Sequence, residues 1–413
     1  MFNWLSTPTI LLAAVILVAV QFIAALPWLK VLSPKGFAAT IKNPVMIGAW
    51  VLGLIGVSIL VAMFMGYKGD SASLILYGRG YAFALHLQLL LDFFIVVPGL
   101  LILVWPKGGA VALATFREGW RQPMFWLITL FGILAIAISI VIPYFTFGDD
   151  YKMMKQIGYD IIMLCAALFG VLASSISISE EIEGRTAVTL MSKPVNRRHF
   201  LIGKFLGILM ACASMAMILG LALIPALWVM PEFDKINQVD DAIVNQAREM
   251  IPPSFVESMP SRPGKSIAIG VALWMSEAFA HQAGVVLGFG QVMILVAIST
   301  ALATRLPFVV NLVVCLSIYF AGNLAPVVVR VTETMRAKNS GAGVGLVNFV
   351  GRMTDAILPA LEHFKMNTAI IRETPLEFGQ FLIYIATVLG YSLLYTVIAL
   401  LVGLILFEDR DLA

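Results

Sequence analysis

Charge is scarce in this chain. Only 12% of its 413 residues are Asp, Glu, Lys or Arg, against about a quarter in soluble domains, which excludes an ordinary soluble globular protein. Cysteine is nearly absent. Its three copies, Cys165, Cys212 and Cys315, are far apart and each lies in an apolar run, so they form neither a disulfide framework nor a zinc site and read as small helix-packing residues. The four histidines, His86, His199, His281 and His363, are scattered and lie beside no ligand cluster. Gly-x-Ser-x-Gly and His-Glu-x-x-His do not occur, which argues against an intramembrane hydrolase. Gly-x-x-x-x-Gly-Lys-Ser/Thr is missing too, so the chain has no backbone cradle for the phosphates of ATP. The net charge is +3 and the bases form no stripe, so nucleic acid is not an indicated partner.

What the chain has is hydrocarbon. It is 60% hydrophobic with a mean hydropathy of +0.95, the composition of an integral membrane protein whose main solvent is lipid. Apolar runs of about 18 residues or more predict about nine spanning helices, at residues 9–26, 45–65, 82–105, 125–144, 157–178, 200–230, 283–303, 308–329 and 381–407. The fold class is therefore all-α and polytopic. The first run has no positive lead and no small-residue cleavage site after it, so it reads as a retained span.

Bases in short loops set orientation. Lys30, Lys35 and Lys42 follow the first span, Lys107, Arg117 and Arg121 lie between the third and fourth, and Arg185, Lys193, Arg197, Arg198 and Lys204 sit around the charged connection from the fifth span to the sixth. These loops fall on one side, which predicts an outside N-terminus and a cytoplasmic C-terminus. The segment 331–380 is also basic, but long loops cross largely regardless of charge.

The chain divides near Lys107-Gly-Gly109 into a three-span region, 1–108, and a six-span region, 109–413. At the boundary, residues 110–121 place Leu113, Phe116 and Trp120 at helical spacing, with Arg117, Glu118 and Arg121 opposite. That pattern predicts a helix lying in the membrane interface. Residues 231–282 and 330–380 read as long non-spanning segments outside the membrane, and there is no internal sequence repeat. Gly203-x-x-x-Gly207 and Gly284-x-x-x-Gly288 have the spacing for close helix approach. Asp92 is the ionisable residue deepest in a span, with His86 about a turn and a half before it, and an intramembrane acid invites a proton-relay reading.

The densest charge lies at residues 179–200, between the fifth and sixth spans. Glu180, Glu181 and Glu183 are followed by Gly184 and Arg185, then by a short helical stretch bearing Leu190 and Met191. Lys193-Pro194 stops that stretch, and Arg197 and Arg198 open the next span. A plain connector needs only a few polar turn residues; a solvated loop whose bases merely set orientation is the alternative. This pattern resembles the cytoplasmic coupling segment of type-2 ABC export permeases. The Ser-Lys-Pro-Val-Asn-Arg-Arg run, the interfacial helix, Ser299-Thr-Ala-Leu-Ala-Thr-Arg305, Leu361-Glu-His-Phe-Lys-Met-Asn367 and the C-terminal Phe-Glu-Asp-Arg-Asp-Leu412 agree with it.

The resemblance covers residues 110–412 and implies a six-helix permease core preceded by three additional spans, in the cytoplasmic (inner) membrane. It implies a separate ABC ATPase subunit docked on the segment, with ATP and Mg on that subunit and no cofactor bound by this chain. The working unit would pair two permeases, as a homodimer or heterodimer, with two ATPases. The charged contacts would be Glu180, Glu181, Glu183, Arg185, Arg197 and Arg198; Gly184 would give the turn, and Leu190 and Met191 would seat in an apolar cleft. Arg185 stands where Thr often follows the Gly directly. The competing readings are a proton-coupled secondary transporter using Asp92 and His86, and a membrane scaffold that recruits a soluble partner through the segment.

Overall fold

The computed structural model describes residues 8–68, 71–142, 150–183, 196–233, 262–338, 342–365 and 378–408. Helices dominate. They are α1 (Pro8–Leu32), α2 (Pro34–Lys42), α3 (Pro44–Lys68), α4 (Ser71–Val104), α5 (Pro106–Arg121), α6 (Pro123–Ser139), α7 (Asp150–Glu183), α8 (Arg197–Phe233), α9 (Arg262–Leu302), α10 (Phe308–Lys338), α11 (Ala342–Ile357) and α12 (Phe378–Glu408), with a short 3-10 turn at Leu361–Phe364. Among the described residues eight helices are long and apolar enough to cross a membrane, or nine if the bent pair α5–α6 counts as one span.

Proline punctuates the fold. Five helices, α1, α2, α3, α5 and α6, begin on Pro, whose missing N–H and fixed φ suit a first helical turn. The breaks before α2 and α5 are single residues with nearly identical backbone angles, φ −142°, ψ 76° at Ser33 and φ −142°, ψ 75° at Trp105. The breaks after them, Asn43 and Gln122, are extended, as a residue before proline prefers. A span, a short amphipathic helix and a second apolar helix are thus joined the same way twice, although the sequence shows no repeat.

The core is built on α7, α8 and α9. Of their spanning windows 72, 67 and 72% is buried, against 11 to 28% for the other spans. Small residues allow this closeness, because between helices in lipid the attraction comes from packing rather than from expelled water. Gly170 of α7, for example, faces Val296 of α9 and Cys212 of α8. The three cysteines are buried and unbridged. On one side of this core α4 packs along α9, carrying α1 and α3 outside it; on the other sides lie α10 and α12.

A polar seam locks α4 to the core. His86 Nε2 donates to the Met217 carbonyl at 2.8 Å and Nδ1 lies 3.0 Å from Gln282 Oε1. The His281 ring meets His86 edge-on at 4.9 Å, and Tyr159 Oη is 3.0 Å from His281 Nδ1. The fold therefore joins two histidines that are 195 positions apart in sequence. Among the described residues no group of three or more His, Cys, Asp or Glu could hold a metal. Replacing His86 by Ala leaves the Met217 carbonyl and the Gln282 amide facing hydrocarbon, a cost of about 1–3 kcal/mol. The expected result is a lower thermal midpoint for the purified protein.

Several expected boundaries move. The non-spanning segment 231–282 is in part helical, because α9 starts at Arg262 and runs 41 residues; its first turns bury Val271 and Trp274 against α1 rather than standing in water. The sequence also allows a short helix around 240–250, which lies outside the described residues. The segment 330–380 also carries structure: α10 continues to Lys338 and turns back through α11. These two helices are joined by Asn348 Nδ2 to Thr332 Oγ1 at 2.8 Å and by Arg352 to Glu333 at 2.7 Å. The 3-10 turn then buries Leu361 and Phe364 against Gly322 and Gly290, and Glu362 pairs with Arg330.

Candidate functional site at the root of the charged segment

The expected contact residues Gly184, Arg185, Leu190, Met191 and Pro194 lie outside the described residues, as do the side chains of Glu180 and Glu183. What is described is the root from which the segment springs. There α7 ends, α8 begins, and the ends of α9 and α12 meet them.

Lys204, one to two turns into α8, is only 5% exposed at its side chain. Its ammonium donates to Glu181 Oε1 at 2.5 Å and to Ser177 Oγ at 2.9 Å, and Glu118 of α5 lies 3.7 Å away. A buried cation is tolerated only when its protons are matched in this way. Glu181, expected to face a partner, is thus engaged with its own chain, and Lys204, expected among the loop bases, is interior.

Arg197 caps the last helix. Its Nη1 donates to the carbonyls of Phe407 and Glu408, both at 2.7 Å, and the guanidinium lies 5.5 Å from the Phe407 ring centre. Arg305, just past α9, adds a bond from Nε to the Leu406 carbonyl at 2.8 Å. The last carbonyls of a helix have no partner within it and carry the negative end of its dipole, so two arginines are well placed there. Ser179 bonds the carbonyls of Ala303 and Leu306 at 3.3 Å. Beneath these bonds Ile178, Phe200, Leu201, Ala303 and Phe407 form one apolar plug. Arg198 remains exposed.

The amphipathic stretch expected at 110–121 is helical, as the greater part of α5, and its apolar side has a protein partner. Phe116 is buried, facing Phe93 and Phe94 of α4. Arg117 and Arg121 are exposed, and Trp120 packs against Phe94 and Phe125 with ring centres 5.1 and 4.9 Å apart. The chain then bends by 61° into α6. Gly203 and Gly207 face α5: a Cβ on Gly207 would lie 2.4 Å from the Ala112 carbonyl oxygen, and one on Gly203 2.8 Å from Val111 Cβ. This close approach is within one chain.

Asp92 and His86 are not brought together. Six residues are about one and two-thirds turns of helix, so the two side chains leave α4 in different directions. His86 joins the seam to the core, whereas Asp92 is buried with Oδ1 lacking a partner among the described residues.

Above the root, Ser174 bonds Ser299 at 2.5 Å, and Asn311 Nδ2 donates to Ser175 Oγ at 2.8 Å and to the Ser299 carbonyl at 3.0 Å. Sequence reasoning passed over this ladder and Ser177. The signal was the run Ser174-Ser-Ile-Ser-Ile-Ser179, polar residues at helical spacing where lipid contact would call for carbon.

Among the described residues the chain is a helical bundle with a tightly packed three-helix centre, and helix ends on one side of it form the root of the charged segment. The family described as ABC-2 family transporter protein matches residues 8–412. The chain belongs to that family. The match begins in α1, so the three N-terminal spans lie within the family's extent, and the similarity is wider than the region from 110 onward. No curated protein and no solved structure matches the chain.

Proposed function

We propose that the chain is the permease subunit of an ATP-driven exporter, and that residues 179–200 couple its helices to a separate ATPase subunit carrying ATP and Mg. One observation supports this above the others: the root of the segment is tied to α5, α7, α8, α9 and α12 together. A displacement of the segment is then a displacement of five helix ends, the rigid-body kind of switch that a nucleotide-driven partner can work. The root of the segment, the end of α5 and the end of α12 share a side of the bundle, which fits a cytoplasmic C-terminus, an outside N-terminus and residence in the inner membrane. Two permeases, alike or different, would assemble with two ATPases.

In this reading the residues divide by role. Glu180, Glu183, Gly184, Arg185, Leu190, Met191, Pro194 and Arg198 meet the partner, while Glu181 and Arg197 hold the root.

The test is purification of the tagged chain from its own membranes in mild detergent, with mass spectrometry of what comes with it and an assay of ATP turnover. An ATPase subunit with a phosphate loop should co-purify. Leu190→Asp with Met191→Asp should remove it along with the turnover, leaving the amount of permease unchanged. A double variant that keeps both at the normal level would overturn the coupling role.

A further inference from the structure

The first acidic residue of this chain is Asp70. Of the lysines before it, Lys30, Lys35 and Lys42 gather at α2 and the end of α1 beside it. All three side chains are exposed, and none is in an ion pair among the described residues. The helices that flank them, α1 and α3, carry no acid at all. The patch has one sign and its own surroundings do not neutralise it.

The fold fixes where this patch lies. Helix α2 links the adjoining ends of two spans, Ile10–Leu32 and Pro44–Lys68, so it sits at a membrane surface whichever way the chain faces. Pro34 and Pro44 follow the breaks on either side of it and limit how far it can swing from that plane. No residue of α2 is buried, and the helices it packs on are α1 and α3. Its two sides differ. The Phe37 ring lies 6.3 Å from that of Trp50, which meets Phe22 of α1 at 5.6 Å. Trp50 is nearly two turns inside α3, so this side of α2 is turned toward the bilayer, and Ile41, one turn on from Phe37, is 52% exposed beside it. With about 3.6 residues per turn, Lys35 and Lys42 share the opposite side, about 10 Å apart along the axis.

We infer that α2 is an anchoring surface for anionic phospholipid, with Phe37 and Ile41 at the acyl-chain boundary and Lys30, Lys35 and Lys42 on the headgroup phosphates. Lipid phosphate is already at the depth of this helix, and the lysine stems reach it without leaving the interface. An acidic soluble protein or a nucleic acid matches the charge but not the apolar side. A zwitterionic headgroup offers phosphate too, yet its own cation offsets it, so the patch selects net negative charge. The inference rests on α1 and α3 as spans and not on the proposed ATPase, so either reading can fail without the other.

The experiment uses the full chain in phosphatidylcholine nanodiscs with a trace of photoreactive phosphatidylglycerol or phosphatidylcholine, each carrying the same acyl-chain diazirine near the glycerol. Peptide mapping after illumination should find residues 30–45 labelled by the anionic probe in preference to the zwitterionic one, by up to about fivefold for each lysine at low salt. Residues 130–138 of α6, which are uncharged, should take both probes alike. Salt at about 0.5 M should shrink the preference, because exposed charges are screened. Lys30→Gln, Lys35→Gln and Lys42→Gln together should abolish it, and Lys30→Arg, Lys35→Arg and Lys42→Arg together should keep it; if the first variant does not fold, the second and the salt series on the parent still decide. A nanodisc has no inside, so lysines that serve orientation alone predict equal labelling by the two probes. Equal labelling, protection of this stretch from both probes by covering protein, or displacement of the anionic probe by millimolar glycerol phosphate would overturn the assignment.

Discussion

Lys204→Met should destabilise the protein by about 3 kcal/mol. The substitution keeps most of the side-chain volume but removes the ammonium that contacts Ser177, Glu181 and Glu118. Breaking one partner of a buried ion pair leaves the other carboxylate in poor solvent, and such losses run to about 3–5 kcal/mol; partial exposure of Glu181, 24%, and of Glu118, 50%, puts this one at the low end. The measurement is thermal unfolding in detergent of Lys204→Met, Glu181→Gln and the double variant. If the pair is what matters, the double variant should be less destabilised than the sum of the singles. Additive losses would show that the residues act separately. Lys204→Arg should not rescue fully, since a planar fork does not fit the place of a compact ammonium.

Gly207→Leu should cost as much or more. The first added carbon would already stand 2.4 Å from the Ala112 carbonyl oxygen, 2.6 Å from Thr115 Cβ and 3.0 Å from the Phe116 amide nitrogen. Two of those three atoms are backbone, so no rotamer change relieves the clash and α5 must leave α8. Overpacking that side chains can absorb costs about 1–3 kcal/mol; where backbone must move, the upper end is expected. Cysteine pairs placed across the α5–α8 contact should cross-link readily in the parent and poorly in the variant. Gly207→Ala should show the same change in weaker form. Unchanged cross-linking in Gly207→Leu would mean that α5 is not held by this contact.

Much of this architecture is legible in the chain because lipid makes severe demands on it. A spanning segment must be long and apolar, so the spans could be placed from residue pattern alone. The amphipathic stretch ending at Arg121 was equally plain, since Leu113, Phe116 and Trp120 recur on one face. What the pattern could not say is what that face touches: Phe116 looks the same against lipid as against Phe93. Nor could hydropathy mark where α9 begins, because its first turns carry Lys, Ser and Glu, yet they continue one helix. Pairings across the chain were hidden for a simpler reason. Nothing local to His86 points to His281, and nothing local to Lys204 separates a loop base from a buried cation. The glycines at 203 and 207 declared a close approach without naming the partner, which proved to be the chain's own α5.

The two short helices α2 and α5 are each spliced to their neighbours through one residue, with proline immediately following every splice. Such a joint has few torsions left to turn: proline fixes its own φ and restricts the residue before it. A crank mounted on stiff elbows cannot idle. Because α5 also carries Glu118 to within 3.7 Å of Lys204, a sideways shift of α5 would pass through these joints to the helices on either side of it, α4 and α6.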